Sequence, residues 1–343
     1  MKKLLNILFV TNPEAYLARD GENVVVRLDD KEAFRTPAHY LEGIVTFGYT
    51  GVSPALLGMC IDKQITVSML TPFGKHMATV EGLPKGNVLL RRKQYRMADS
   101  EVESAKMARC FIFGKLAGCR TVLRRFISDY GGNIDTGDIN KSCKLLARNI
   151  LKLDKESNLN EIRGLEGESA RAYFAEFDKL ILNHKEHFYM KNRNRRPPQD
   201  NVNALLSFIY TLLLHDTKSA LMTVGLDPYV GFLHRDRPGR LGLALDLMEE
   251  FRPYLADRLV LNLINRQQLS SKDFIKKESG GVILKENSRK IVLEVWQKRK
   301  AEEIQHPFLE EKIKLGLLPY AQALLLARHL RGDIDCYPPF IWR

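Results

Sequence analysis

No run of about eighteen uncharged apolar residues occurs in the 343-residue chain, so a bilayer-spanning helix is not expected. The start, MKKLLNILFV, is charged, but its apolar stretch is short. Thr11, Asn12 and Pro13 follow without a small-residue cleavage site. Residues 4–10 therefore read as a first strand rather than a signal peptide, and the expected location is cytoplasmic. Cysteine is scarce. Cys60, Cys110, Cys119, Cys143 and Cys336 form no CxxC pair, which argues against a zinc site or a disulfide framework and for small buried hydrophobes in a reducing compartment. A P-loop, an HExxH helix and a nucleophilic Ser or Cys signature are missing too, and no internal repeat appears. Acidic residues are outnumbered, 41 against 53 basic ones, for a formal charge of +12. Such an excess points to a polyanion, most often nucleic acid, although an anionic membrane surface attracts the same charge.

The residues that are present divide by period. Short β-branched or alternating runs cover 4–10, 15–19, 24–28, 43–47, 64–69 and 76–80, with Asp20-Gly21-Glu22 as a hairpin signal and Ser53-Pro54 opening a short helix. Ser100 and Glu103 then form a capping-box pattern, and from there to about residue 330 nearly every segment carries the helical period. The expected fold class is α+β: a small β-rich N-terminal domain over 1–96, then a larger all-α domain over 97–343. Helices are expected over 139–153, from 158–160 onward, over 201–214, from Leu241 past Glu250 with a break at Pro253, over 258–269 and 287–304, and finally over 308–330. The tail aromatics Tyr337, Phe340 and Trp342 either dock back on the domain or offer a peptide to a partner.

Chemistry concentrates in residues 225–250, GLDPYVGFLHRDRPGRLGLALDLMEE. A turn-rich loop with Gly225, Pro228 and Gly231 delivers His234, and the following helix sets Asp246 and Glu249 one turn apart on one face. An imidazole opposite carboxylates suits a divalent metal or acid–base work. Taken alone, the pattern more often marks a hydrogen-bonded core histidine and a solvated acidic face. A third acid, Glu166, shares a helix face with Ala170 and Tyr173. Gly164 and Gly167 flank it at a cost of about 1 kcal/mol each against Ala, leaving room for a second backbone or for a ligand. The basic loop KEHFYMKNRNRRPP offers Lys191, Arg193, Arg195 and Arg196 as phosphate contacts, and the loop after His234 adds Arg237 and Arg240.

Four segments, EIRGLEGESARAYF, RPPQDNVNALLSFIYTLL, GLDPYVGFLH and LALDLMEEFRP, together resemble the CRISPR-associated adaptation integrases, the family of the universal first Cas protein. The resemblance covers almost the whole chain. It implies a metal-dependent DNA integrase and endonuclease that joins the 3′-OH ends of captured double-stranded DNA to CRISPR repeat boundaries by transesterification. It also implies that Glu166, His234 and Glu249 bind magnesium or manganese, with Asp246 as an auxiliary acid whose loss should be the milder. A homodimer joined through the N-terminal domain and a small second adaptation subunit are the implied partners, with no membrane. Two rivals differ in class. One is a structure-selective nuclease of branched DNA in repair, which the same site would serve. The other is a non-catalytic DNA-binding subunit, against which the joint presence of Glu166, His234 and Glu249 argues.

Overall fold

Short β-branched runs between turns build the first unit around two sheets. In this computed structural model the described residues are 7–41, 43–71, 76–80, 82, 87–132, 134–156, 158–195 and 197–342. Strands β1 (Ile7–Val10), β2 (Tyr16–Asp20), β3 (Asn23–Leu28), β4 (Lys31–Pro37), β5 (Gly43–Phe47), β6 (Thr66–Leu70) and β7 (His76–Val80) follow in order. The first three residues expected in β1, 4–6, lie outside the described residues. β2, β3 and β4 pair antiparallel, while β1, β5 and β6 pair parallel with β7 antiparallel at the edge. The parallel β5–β6 pair needs a crossover. Helix α1 (Pro54–Asp62) supplies it, with Leu56 N donating to Ser53 Oγ at 3.2 Å. Leu17, Val24, Ile44, Leu56 and Val67 form the centre of this core. β4 was not expected, because its residues Lys31 to Arg35 are all exposed; an edge strand with both faces wet carries no apolar alternation to read.

The first compact unit comprises Met1–Lys85 and Leu284–Ala301, the second Gly86–Ile283 and Glu302–Arg343. Helical structure therefore begins ahead of Met97: the basic segment around Arg91–Arg96 lies within α2 (Val88–Asp99) of the second unit. The helix Glu286–Ala301 returns to the first unit.

In the second unit α3 (Glu101–Tyr130) runs for 30 residues, about 45 Å, after Glu103 N donates to Ser100 Oγ. It packs on α4 (Gly137–Lys155) and α5 (Leu159–Phe177), the latter capped by Asn158 Oδ1. α6 (Asn201–Thr223) extends well past residue 214. α7 (Gly242–Met248) is shorter than expected and stops before Glu249. Pro253 has no N–H to return to the Glu249 carbonyl, so the chain turns through residues 249–251 and makes one π-helical turn over Arg252–Asp257 before α8 (Arg258–Asn265). The last helix is also shorter than expected, Leu318–Arg331, because residues 303–314 fold into a hairpin of Glu303–Gln305 against Lys312–Lys314. Tyr337, Phe340 and Trp342 are buried, so the tail docks back on its own unit. Among the described residues, no helix is long and apolar enough to cross a membrane.

Candidate active site

The loop that carries His234 is wrapped around a single buried carboxylate. Asp246 Oδ2 accepts from Phe232 N at 2.6 Å and Leu233 N at 2.9 Å, and Oδ1 accepts from His234 N at 3.0 Å. The same Oδ1 lies 2.6 Å from His234 Nδ1. That pairing favours the tautomer protonated at Nδ1 and leaves Nε2 as the free ring nitrogen. Two glycines permit the close approach. A Cβ at Gly231 would stand 2.8 Å from Asp246 Oδ2, and one at Gly242 would stand 2.5 Å from Tyr229 O. Two further helices brace the loop. Arg163 of α5 donates to Leu233 O from Nε at 3.2 Å and Nη2 at 2.5 Å, and Gln94 of α2 holds the Asp227 and Val230 carbonyls at 2.8 Å each.

Glu166, half-buried on α5, and Glu249, buried just beyond α7, meet a lysine that the sequence did not single out. The Lys115 ammonium, from the middle of α3, hydrogen-bonds Glu166 Oε1 and lies 2.9 Å from Glu249 Oε2. Arg252 Nη1 lies 2.8 Å from Glu249 Oε1. Burial alone would push the Glu249 carboxyl up, but Arg252, Lys115 and His234 together hold it at about 2. Burial likewise opposes the charge on Lys115, and Glu249 and Glu166 outweigh it, raising its pKa. Glu249 Oε2 is nevertheless buried without a hydrogen-bond partner; the ammonium neutralises it by proximity rather than along a lone-pair direction. Beside Glu166, a Cβ on Gly164 or Gly167 would meet nothing within 4 Å. The glycines thus leave an open flank instead of a tight helix contact.

Glu166, His234 and Glu249 line one open cleft of about 460 Å³. Among the described residues, no three His, Cys, Asp or Glu side chains are already grouped around a metal-sized position. The donors fit such an ion in kind: two hard carboxylates and one imidazole suit magnesium or manganese, and Glu249 Oε2 is a buried acceptor still lacking a directed donor. Asp246 differs, since its two oxygens already serve three backbone N–H groups and the imidazole.

The cleft is rimmed by arginine. Arg195, Arg237 and Arg240 line it, joined by Arg163, Arg235 and Arg252, which the sequence did not single out. Arg193 is a correction. Its Nη1 donates to Asn203 Oδ1 and Asn194 O at 2.6 Å each, Nη2 donates to Ser207 Oγ at 3.3 Å, and the guanidinium stacks 5.4 Å from the Tyr210 ring centre. A guanidinium committed in this way is not presented to phosphate. Lys191 is exposed but lies outside the cleft lining, and Arg196 lies outside the described residues. A signal for Lys115 did exist: it sits in phase with Phe111, Cys119 and Val122 on the buried stripe of α3.

Glu250 serves a different purpose from its neighbour. It accepts from Phe340 N at 2.7 Å, Tyr337 Oη at 2.9 Å and Gln322 Nε2 at 3.0 Å, which ties the C-terminal tail to the 249–251 turn. Burial pushes its carboxyl up to about 8 despite these neutral donors. The folded state therefore favours the protonated acid, whereas the unfolded chain ionises near the ordinary value of 4.5. This contribution to stability is complete below that value and is lost as pH rises through about 8. Asp257, pushed up by burial to about 6, titrates lower. Glu250→Gln should thus flatten the decline of melting temperature from about pH 6.5 to 8, by on the order of 5 °C. An unchanged slope in calorimetry would refute that role.

Residues 8–298 match the family model described as CRISPR associated protein Cas1. A CRISPR-associated endonuclease Cas1 of Chlorobaculum tepidum is 50% identical over 343 residues, covering 100% of this chain and 100% of that protein. Among solved structures, a casposase bound to integration product has a TM-score of 0.84 at 24% identity, covering 98% of this chain and 94% of that one. A Cas1 protein from Thermotoga maritima has a TM-score of 0.82 at 22% identity, covering 95% and 97%. Both are likenesses of fold, the α+β arrangement of strands followed by helices.

Proposed function

We propose that this chain, which belongs to the CRISPR-associated Cas1 family, is a divalent-metal-dependent DNA integrase and endonuclease. It joins the 3′-OH ends of a captured duplex to repeat boundaries by direct transesterification. The observation that carries this reading is the convergence of Glu166, His234 and Glu249 from three separate elements on one arginine-rimmed cleft.

In this reading Glu166, Glu249 and the free Nε2 of His234 hold magnesium or manganese. When bound there, the ion supplies Lewis acidity to the attacking hydroxyl and neutralises charge at the phosphate. Asp246 keeps the imidazole in one tautomer and one orientation. Arg195, Arg237 and Arg240 seat phosphate oxygens through charge-assisted hydrogen bonds, which read backbone and not sequence. The net charge of +12 supports a long phosphate track. The protein works in the cytoplasm as a homodimer joined through its strand-rich unit, with a small second adaptation subunit and double-stranded DNA as partners.

A strand-transfer assay tests this: a short duplex with free 3′-OH ends, the second subunit, and a plasmid bearing a repeat, with and without Mn²⁺. Products joined at the repeat ends are expected, and only with metal and a 3′-OH. Cleavage without joining would select the repair nuclease instead, and tight binding without product would select the architectural subunit.

A further inference from the structure

The two acids assigned to a divalent ion in the proposed function already share a cation. Lys115 is buried, its ammonium bonds Glu166 and lies 2.9 Å from Glu249 Oε2, and no other cation bridges this pair among the described residues. Arg252 holds the other Glu249 oxygen, Oε1, at 2.8 Å. The oxygen left to Lys115 is the one without a directed hydrogen bond.

From this we infer that Lys115 is an internal occupant of the cation seat, holding Glu166 and Glu249 together until a divalent ion displaces it. Metal loading is then an exchange of cations rather than the filling of an open site. The inference rests on the metal-binding reading of Glu166 and Glu249. Three features fit the exchange. The ammonium is a compact point charge on a flexible stem, held here by one hydrogen bond and one undirected contact, unlike the forked guanidinium of Arg252. Next to Lys115 is a cavity of about 10 Å³, room for one water-sized group, lined by Asp257, Tyr173 and Tyr210 and also by Arg195 and Arg252. A displaced ammonium would find the Asp257 carboxylate there as an anionic partner, set against the two guanidiniums. Finally, two carboxylates brought together without a cation repel each other, so the lysine keeps the pair in register for the ion that replaces it.

A lysine that merely supported the ligands would have the opposite signature to one that competes with the ion. Mn²⁺ affinity measured by titration calorimetry separates them. Lys115→Met, which keeps the stem and removes the charge, is expected to bind Mn²⁺ at least about tenfold more tightly and to melt at a lower temperature without metal. Arg240→Met removes a cleft charge that touches neither acid and is expected to change affinity less than about threefold. Weaker binding in Lys115→Met, or a change no larger than in Arg240→Met, overturns the exchange. Glu249→Gln is expected to abolish Mn²⁺ binding. If it does not, the ligand set falls and the exchange with it; if it does while Lys115→Met binds no tighter, the exchange alone fails. The wild-type protein gives a test that needs no variant to fold. In crystals holding Mn²⁺, located by anomalous scattering, Lys115 Nζ should lie beyond hydrogen-bond distance of both acids. An ammonium still bonded to both overturns the inference.

Discussion

Glu166→Ala, His234→Ala and Glu249→Ala are each expected to abolish strand transfer while DNA binding survives. If the three side chains bind the metal as proposed, losing one removes several kcal/mol of transition-state stabilisation, on the order of a thousandfold in rate. DNA affinity should change less than about threefold, because Arg252 is the one rim arginine paired with any of these residues among the described ones. Arg163 is held by the Leu233 carbonyl, and Arg235 pairs with Glu101 at 3.0 Å. The three variants differ in stability. Glu249→Ala leaves Arg252 buried with its nearest carboxylate gone and Lys115 with one acid instead of two. Breaking a buried pair in this way costs about 3–5 kcal/mol. Glu166 is half-buried and Lys115 keeps Glu249 when it is removed, so Glu166→Ala should cost less. Strand transfer and gel-shift measurements well below the melting temperature check both parts. Full activity in Glu249→Ala would overturn its assignment as a ligand.

How much of this was legible in the sequence depends on the range of the interaction. Ser53, Ser100 and Asn158 could be read as caps because a cap is settled within three residues. The same holds for the Asp20-Gly21-Glu22 turn between β2 and β3. Glu166, His234 and Glu249 stood out because each lies in a local segment of unusual composition, and the fold brings them to one cleft. β4 was silent, since an edge strand with both faces wet leaves no apolar period. Arg193 misled, because a basic loop does not say which guanidinium turns inward. Asn203, Ser207 and Tyr210, which the sequence places on one face of α6, are the groups that take it. Lys115 could be marked as a lysine on a buried stripe, but its partners lie 51 residues away on α5 and farther still beyond α7. Only the assembled helices define its charge environment.

Asp246→Ala is expected to be the most destabilising change in the site, although its loss of activity is expected to be the milder one. The Asp246 carboxylate has no exposed surface and accepts from three consecutive backbone N–H groups and the His234 ring. Each buried donor left unpaired costs about 1–3 kcal/mol. Allowing for relaxation of the loop and entry of water, the loss should be on the order of 3–6 kcal/mol, seen as a fall in the urea midpoint. Gly231 and Gly242 pack the loop against α7 too closely for another side chain to take over the role. Activity should fall by about a hundredfold or more, because the imidazole loses the partner that fixes its tautomer and aim. A large loss of activity therefore does not identify the metal ligand among the two acids, and Mn²⁺ titration does. Asp246→Ala should weaken Mn²⁺ affinity by about 10–100-fold, the range of outer-sphere effects, whereas Glu249→Ala should lose binding altogether. The reverse pattern would make Asp246 the ligand and leave Glu249 as the counter-ion of Lys115 and Arg252.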